Sequence, residues 1–294
     1  MKACIIGLGS IGKRHLDVLN HLGLKTVIVS RRENSDSKEI QTYPTFKSCW
    51  LENHDLAYVV IANETSMHIK TILEVRKLFK GKILVEKPLS INDQIPPIEN
   101  TENIFVAYNL RFHPIILKIR ELLKDQTILS AHVYVGQHLS TWRSQTDYWN
   151  CYSAKKELGG GVLRDLSHEL DYCLWLFGET SNLKAISGNF SDLKINSDDF
   201  CSVMYQTKLC PIVTINMNYV DHLSQREIII NTNKMTLKAD LVQGTLMVNK
   251  VLEKFQTERN TTYEAEHNAI LQEPASNMAC QLKDAINVQK MIQE

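Results

Sequence analysis

Six residues near the start of the chain, Gly7-Leu8-Gly9-Ser10-Ile11-Gly12, have the G-x-G-x-x-G spacing with which a backbone can hold a pyrophosphate. The first glycine permits a tight turn, the second a close approach of phosphate to backbone, and the third close packing of helix on strand. A helix that begins there also turns unpaired N–H groups toward the anion. A flexible surface turn could carry three glycines as well, and the setting decides between the two. An apolar run, Lys2 to Ile6, precedes the glycines, and Lys13 to Leu22 follows with apolar residues at helical spacing (Leu16, Leu19, Leu22). Gly7, Gly9, Ser10, Ile11 and Gly12 are therefore candidate dinucleotide contacts.

About 20 residues further on, an NAD site usually carries an Asp or Glu for the ribose 2′-hydroxyl. Here the second apolar run, Thr26 to Val29, ends at Ser30-Arg31-Arg32. A hydroxyl and two guanidinium groups suit a 2′-phosphate, so NADP is expected in preference to NAD. The alternative leaves both arginines in solvent and lets Glu33 reach the ribose. Three more polar clusters follow apolar runs: Asn63-Glu64-Thr65-Ser66, Glu86-Lys87-Pro88 and Tyr108-Asn109. Of these, Asn63, Glu86, Lys87 and Asn109 join the candidate cofactor contacts.

The elements that must position these residues alternate in type. Lys2 to Ile6, Thr26 to Val29, Leu56 to Ala62, Ile83 to Val85 and Ile104 to Ala107 read as strands, and Met67 to Phe79 as a crossover helix. Such alternation predicts a doubly wound parallel sheet, whose ligand crevice lies beyond the carboxyl ends of the strands. The polar clusters stand at those ends.

At 294 residues two domains are expected, each able to bury a core. The chain is 44% hydrophobic and 22% charged, with 33 basic residues balancing 33 acidic ones, which argues for globular folding and against a large basic footprint for nucleic acid. No apolar run is long enough to span a membrane. The first strand begins at the N-terminus, so neither a signal peptide nor export is expected, and a cytoplasmic setting follows. Seven scattered cysteines without a C-x-x-C pair predict neither a disulfide framework nor a metal site.

With Glu86-Lys87-Pro88 the chain resembles the glucose-fructose oxidoreductase and inositol dehydrogenase (Gfo/Idh/MocA) family. The resemblance extends through the N-terminal glycines, Asn109-Leu110-Arg111-Phe112-His113-Pro114, and Gly159-Gly160-Gly161 with His168 and Asp171 beyond. Trp142-Arg143, Asp147-Tyr148, Tyr152-Ser153-Ala154-Lys155-Lys156 and Ser167-His168-Glu169-Leu170-Asp171-Tyr172 look like the branch associated with bacterial surface-sugar pathways. The family implies a Rossmann domain over 1–114, then an α+β substrate-binding and oligomerisation domain over 115–294 with a large, open, mainly antiparallel sheet. Alternation of Val213, Ile215, Met217 and Tyr219 with Thr214, Asn216 and Asn218 independently predicts a strand with two unlike faces. Further strands are expected at Ile128 to Val135, Leu183 to Phe190, Phe200 to Gln206, Glu227 to Asn231, Met235 to Ala239 and Thr245 to Val248. One helix is expected over 164–177, stopped by Gly178, and the last thirty residues look helical.

Hydride transfer at an alcohol carbon needs a nicotinamide, a group to take the hydroxyl proton, and dipoles that steady developing charge. The resemblance assigns active-site roles to Lys87 and His168. A lysine at the end of a buried strand can polarise a substrate oxygen, and a histidine can serve as general base or acid near neutral pH. The family pattern sets an Asp four residues before the histidine. Here Arg164 holds that place and Asp165 stands three before, still on one face if the helix is continuous, so Asp165 is the third catalytic candidate. Asp171, Arg143, Tyr148, Tyr152 and Lys155 are candidate substrate contacts, though any polar loop could carry such residues. The expected activity is an NAD(P)-dependent oxidoreductase acting on a sugar, nucleotide sugar or cyclitol, as a homodimer or homotetramer. A non-catalytic dinucleotide sensor and a reductase of imines or other carbonyls are the alternatives.

Overall fold

The computed structural model describes residues 1–30, 40–91, 94–142 and 147–293. They form two compact units. In the first, strands β1 (Lys2–Ile6), β2 (Lys25–Val29), β3 (Thr42–Tyr43), β4 (Leu56–Ile61), β5 (Lys82–Val85) and β6 (Ile104–Val106) make one sheet in the order β3-β2-β1-β4-β5-β6. Every pairing is parallel. β1, β4 and β5 are buried almost throughout, which is why they read as unbroken apolar runs rather than alternations. Helices α1 (Ser10–His21), α2 (Phe46–Glu52) and α3 (His68–Leu78) make the crossovers. α1 buries Gly12, His15, Leu16, Val18 and Leu19, a helical stripe in which a histidine stands among aliphatic residues.

The second unit opens with α4 (Pro114–Leu122), whose first turn is closed by His113: its Nδ1 accepts the Ile115 N–H at 3.2 Å, and proline at the first helical position has no N–H to satisfy. Strand β7 (Ile128–Gly136) follows, then two short helices, α5 (Val162–Asp165) and α6 (His168–Phe177). Seven more strands complete an eight-stranded sheet: β8 (Ser181–Gly188), β9 (Phe200–Gln206), β10 (Val213–Asn218), β11 (Gln225–Thr232), β12 (Thr236–Asp240), β13 (Thr245–Val248) and β14 (Val251–Lys254). Their order is β14-β13-β12-β11-β7-β10-β9-β8, and only the β7–β10 pairing is parallel. Along β9, Cys201, Val203 and Tyr205 are buried while Phe200, Ser202, Met204 and Gln206 are exposed, the period of a sheet with one covered face.

The chain then returns to the first unit. Residues 259–289, with α7 (Thr261–Leu271) and most of α8 (Leu282–Gln293), group with Met1–Phe112. This differs from a division into 1–114 and 115–294. The reason is packing: Ala269, Ile270 and Ala279 belong to the same core as Ala3, Ile5, Leu16, Tyr58, Val60 and Leu84. Between the two helices, the Val106 N–H donates to the Cys280 carbonyl at 2.9 Å, so the returning segment also lines the β6 edge. The helix expected over 164–177 is likewise two helices. Leu166 leaves the helical conformation at ψ 23°, and α6 restarts at His168. Residues 265–293 are helical except between α7 and α8.

Candidate active site

The glycine run forms an anion cradle in the first unit. Gly7 adopts φ +97°, where a β-carbon would stand 2.6 Å from the Asn63 nitrogen, and a β-carbon at Gly12 would overlap the Gly7 carbonyl. Both glycines are demanded by the fold. At Gly9 a β-carbon would meet nothing within 4 Å, so here the missing side chain keeps space open above the start of α1. No acidic residue stands in the first turn of α1, and the Lys13 N–H is the first to bond back, to the Gly9 carbonyl. Among the described residues the N–H groups of Ser10, Ile11 and Gly12 have no backbone acceptor, and such donors suit a pyrophosphate. At the end of β4, Asn63 donates from Nδ2 to the Thr71 hydroxyl at 2.8 Å, while its buried Oδ1 has no partner among the described residues. That orphaned acceptor beside an open, donor-rich turn fits a dinucleotide. Ser30 donates its backbone N–H to Tyr43 at the end of β2. Arg31, Arg32 and Glu33, on which the choice between NADP and NAD rests, lie outside the described residues, as does Arg143.

β5 ends in Glu86-Lys87-Pro88. Glu86, expected among the dinucleotide contacts, has its carboxylate engaged inside its own unit: Oε1 lies 2.8 Å from His15 Nε2, and Oε2 accepts the Lys87 N–H at 3.1 Å. Burial alone would push the Glu86 carboxyl up, but the His15 hydrogen bond and the positive charge of Lys87 outweigh it and hold the group below the usual carboxylate range. The buried His68 ring reaches the Pro88 carbonyl at 3.0 Å and the Asn63 carbonyl at 3.1 Å, tying the ends of β4 and β5 together. Burial lowers its pKa, so the ring stays neutral and donates to one carbonyl at a time. Asn109 is buried and donates to the Thr262 hydroxyl of α7 at 2.8 Å.

In the second unit the glycine triplet lets two segments close on each other. A β-carbon at Gly160 would overlap the backbone of Tyr152 and Ser153, and Gly161, at φ +126°, leaves room for the Asp198 carboxylate. Asp198 then caps α5 by accepting the Leu163 N–H at 3.0 Å. One turn on, the buried Asp165 accepts the Tyr219 hydroxyl at 2.6 Å, the length of a hydrogen bond to a charged oxygen. Burial and the Asp165 charge push the Tyr219 pKa well up, which keeps its proton in place as donor. His168 is the first residue of α6 and half-buried. The break after α5 leaves Asp165 as the last residue of one helix and His168 as the first of the next, so the two do not stand on one continuous helix. Asp171 is buried, one turn into α6. Tyr148 accepts the Lys194 N–H at 3.3 Å, Tyr152 is exposed, and Lys155 is half-exposed.

Sequence reading missed Tyr219, Asp198 and the buried partners of Glu86. Tyr219 was legible only as one more inward residue of a strand, although β10 itself ends at Asn218. His15 did carry a signal, being a polar residue on the apolar stripe of α1.

Comparison with known proteins places both units. Residues 1–104 match the model of an oxidoreductase family with an NAD-binding Rossmann fold, and residues 116–238 match a GFO/IDH/MocA C-terminal domain. An uncharacterised oxidoreductase of Synechocystis sp. is 25% identical over 211 residues, covering 63% of this chain, and the match spans about half, 53%, of that relative's length. Among solved structures, levoglucosan dehydrogenase in complex with NADH is similar over 100% of this chain and 95% of its own, with 15% identity and TM-score 0.85. UDP-N-acetylglucosamine 3-dehydrogenase of Acidithiobacillus ferrooxidans is similar over 100% and 95%, with 15% identity and TM-score 0.77. At such identities the structures share the fold. The family models and the cradle agree, and the chain belongs to the Gfo/Idh/MocA family of oxidoreductases.

Proposed function

We propose that the protein is an NAD(P)-dependent dehydrogenase or reductase of a sugar, nucleotide-sugar or cyclitol hydroxyl or carbonyl. The observation that carries this reading is the open cradle of Gly9 at the start of α1 in a chain that also holds Lys87 at the end of β5. The nicotinamide, when bound, supplies the hydride acceptor or donor. Gly7, Gly9 and the N–H groups of Ser10, Ile11 and Gly12 hold the pyrophosphate, with Asn63 beside them. The Lys87 ammonium polarises the substrate oxygen, and His168 moves its proton, outward in oxidation and inward in reduction. Asp165, held by the Tyr219 hydroxyl, is the third candidate in the proton transfer. Tyr148, Tyr152, Lys155, Asp171 and Arg143 are the candidate substrate contacts. Sugar-related names among the similar structures support the substrate class. A role in bacterial surface-sugar synthesis in the cytoplasm, and assembly as a dimer or tetramer, complete the proposal.

The test is a panel of sugars, nucleotide sugars, inositols and their oxo forms with each dinucleotide, followed at the nicotinamide absorbance band. Turnover with at least one member is expected, and none with any would overturn the reading. NADPH is expected to bind more tightly than NADH because of Ser30, Arg31 and Arg32. Replacing both arginines with Ala should weaken NADPH alone, by about 1–3 kcal/mol. Equal weakening of both dinucleotides would remove the assignment.

A further inference from the structure

Behind Glu86 lies a chain of buried polar groups that the proposed chemistry does not use. His15 Nδ1 faces His267 Nε2 at 2.9 Å, and His267 Nδ1 faces the Tyr58 hydroxyl at 3.0 Å. With the 2.8 Å contact from His15 Nε2 to Glu86, four side chains from α1, α7, β4 and the end of β5 make one unbroken line. His15, His267 and Tyr58 have no measurable exposure. The neighbours are also fixed. Tyr263 packs edge-on against His15 at 5.5 Å and carries the Arg14 guanidinium over its ring at 4.2 Å, and Glu266 is buried beside His267 in sequence.

Hydrogen-bond valence sets the direction of the line. The Glu86 carboxylate already accepts the Lys87 N–H and can only accept again, so His15 donates from Nε2. A neutral His15 then offers a lone pair at Nδ1, and His267 must donate from Nε2. His267 in turn offers a lone pair at Nδ1, which the Tyr58 hydroxyl fills. Every group is satisfied with both imidazoles neutral and one negative charge at the end. An added proton on His15 would turn its Nδ1 from acceptor to donor and force His267 to reverse as well. The Tyr58 hydroxyl would then accept from His267, and its own buried proton would be left without an acceptor among the described residues, while burial holds the His267 pKa well below the ordinary value.

We infer that Tyr58, His267 and His15 form a one-way hydrogen-bond chain that fixes the Glu86 carboxylate and, through it, the backbone of Lys87. They are positioning residues for Lys87, and the inference of a catalytic effect rests on the proposed role of that lysine. Bonds in such a chain polarise one another, so each donor strengthens the next. The returning segment thereby gains a role, since α7 brings His267 under α1, and without it His15 would lose its donor.

The test uses the full-length protein labelled with 15N-histidine. Both imidazoles are expected as neutral Nε2–H tautomers around pH 7, and an imidazolium or Nδ1–H form of either would overturn the chain. Two variants then test the positioning. His267→Gln retains a side-chain N–H for His15, whereas His267→Met retains bulk only. Amide hydrogen exchange at Lys87 should speed up about tenfold or more in the Met variant and stay within about threefold of wild type in the Gln variant, at matched melting temperatures. Equal acceleration in both variants, or none in either, would overturn the positioning role. Where turnover is measured, it should follow the same order, with Gln recovering most of what Met loses. A wild-type protein inactive across the substrate panel would count against the proposed activity alone, because tautomers and amide exchange are read without substrate.

Discussion

The residues that matter here are those whose partners are buried. His168→Ala should lower turnover about 10²- to 10⁴-fold while leaving dinucleotide affinity nearly unchanged, because the residue proposed to move the proton is not part of the glycine cradle. Normal turnover in that variant would move the proton-transfer role to Asp165, Asp171 or Tyr152. Tyr219→Phe removes the 2.6 Å donor from a buried carboxylate and should cost about 1–3 kcal/mol of stability by urea unfolding. His113 makes a prediction about pH. Burial and the nearby positive charge of Arg226 pull its pKa down to about 4, and its cap on α4 needs the Nδ1 lone pair. The unfolded chain binds that proton at about pH 6.5 and the native state only near 4, so unfolding free energy is at its full value above 6.5 and falls as pH drops toward 4. The loss from this residue approaches about 3 kcal/mol, as 2 to 3 pH units at 1.4 kcal/mol each. His267 and His68 shift in the same direction and steepen the slope. The difference between wild type and His113→Asn, which keeps a capping acceptor, isolates His113; parallel curves would refute the assignment.

At the scale of elements, the glycines of the first turn divide into two kinds. Gly12 lets α1 pack against the turn, so Gly12→Ala should destabilise the first unit outright. Gly9 faces open space, so Gly9→Ala should fold with an unchanged melting temperature and lose dinucleotide affinity, about tenfold or more, because the new methyl would enter the space that the proposed cradle leaves for the phosphates. Calorimetry and a binding titration on both variants separate the two effects. A Gly9→Ala variant that binds NADH and NADPH normally would remove the turn from the cofactor site. The gap between α5 and α6 belongs to this scale as well. Apolar periodicity runs straight through 164–177, because Leu166 and Leu170 are both inward, while the break at Leu166 and Ser167 depends on where Asp198 and Tyr219 hold α5.

For the whole molecule, the eight-stranded sheet presents an outward face. Ile186 of β8 is 71% exposed and Met204 of β9 52%, and the register puts Ile186 opposite Ser202 and Met204 opposite Thr214 on that face. Exposed apolar side chains on a wide sheet favour burial against a second copy, and a homo-oligomer is expected. Ile186→Lys with Met204→Lys should shift the particle toward monomer in light scattering at micromolar concentration; a wild-type protein that is monomeric there would contradict the expectation. Sequence alone determined that the first unit is a doubly wound parallel sheet, since buried parallel strands are local apolar runs and the glycine turn has a fixed spacing; the strand order and the short β3 came from the structure. It also determined most strands of the second unit, whose two-residue alternation is local. What only the tertiary structure decided are the pairings between distant segments: Tyr219 with Asp165, Asp198 with α5, and His267 with His15. The same holds for the return of residues 259–289 to the first unit. The periodicity of a helix shows that one face is buried, but against which core is settled by packing complementarity, which has no local signature.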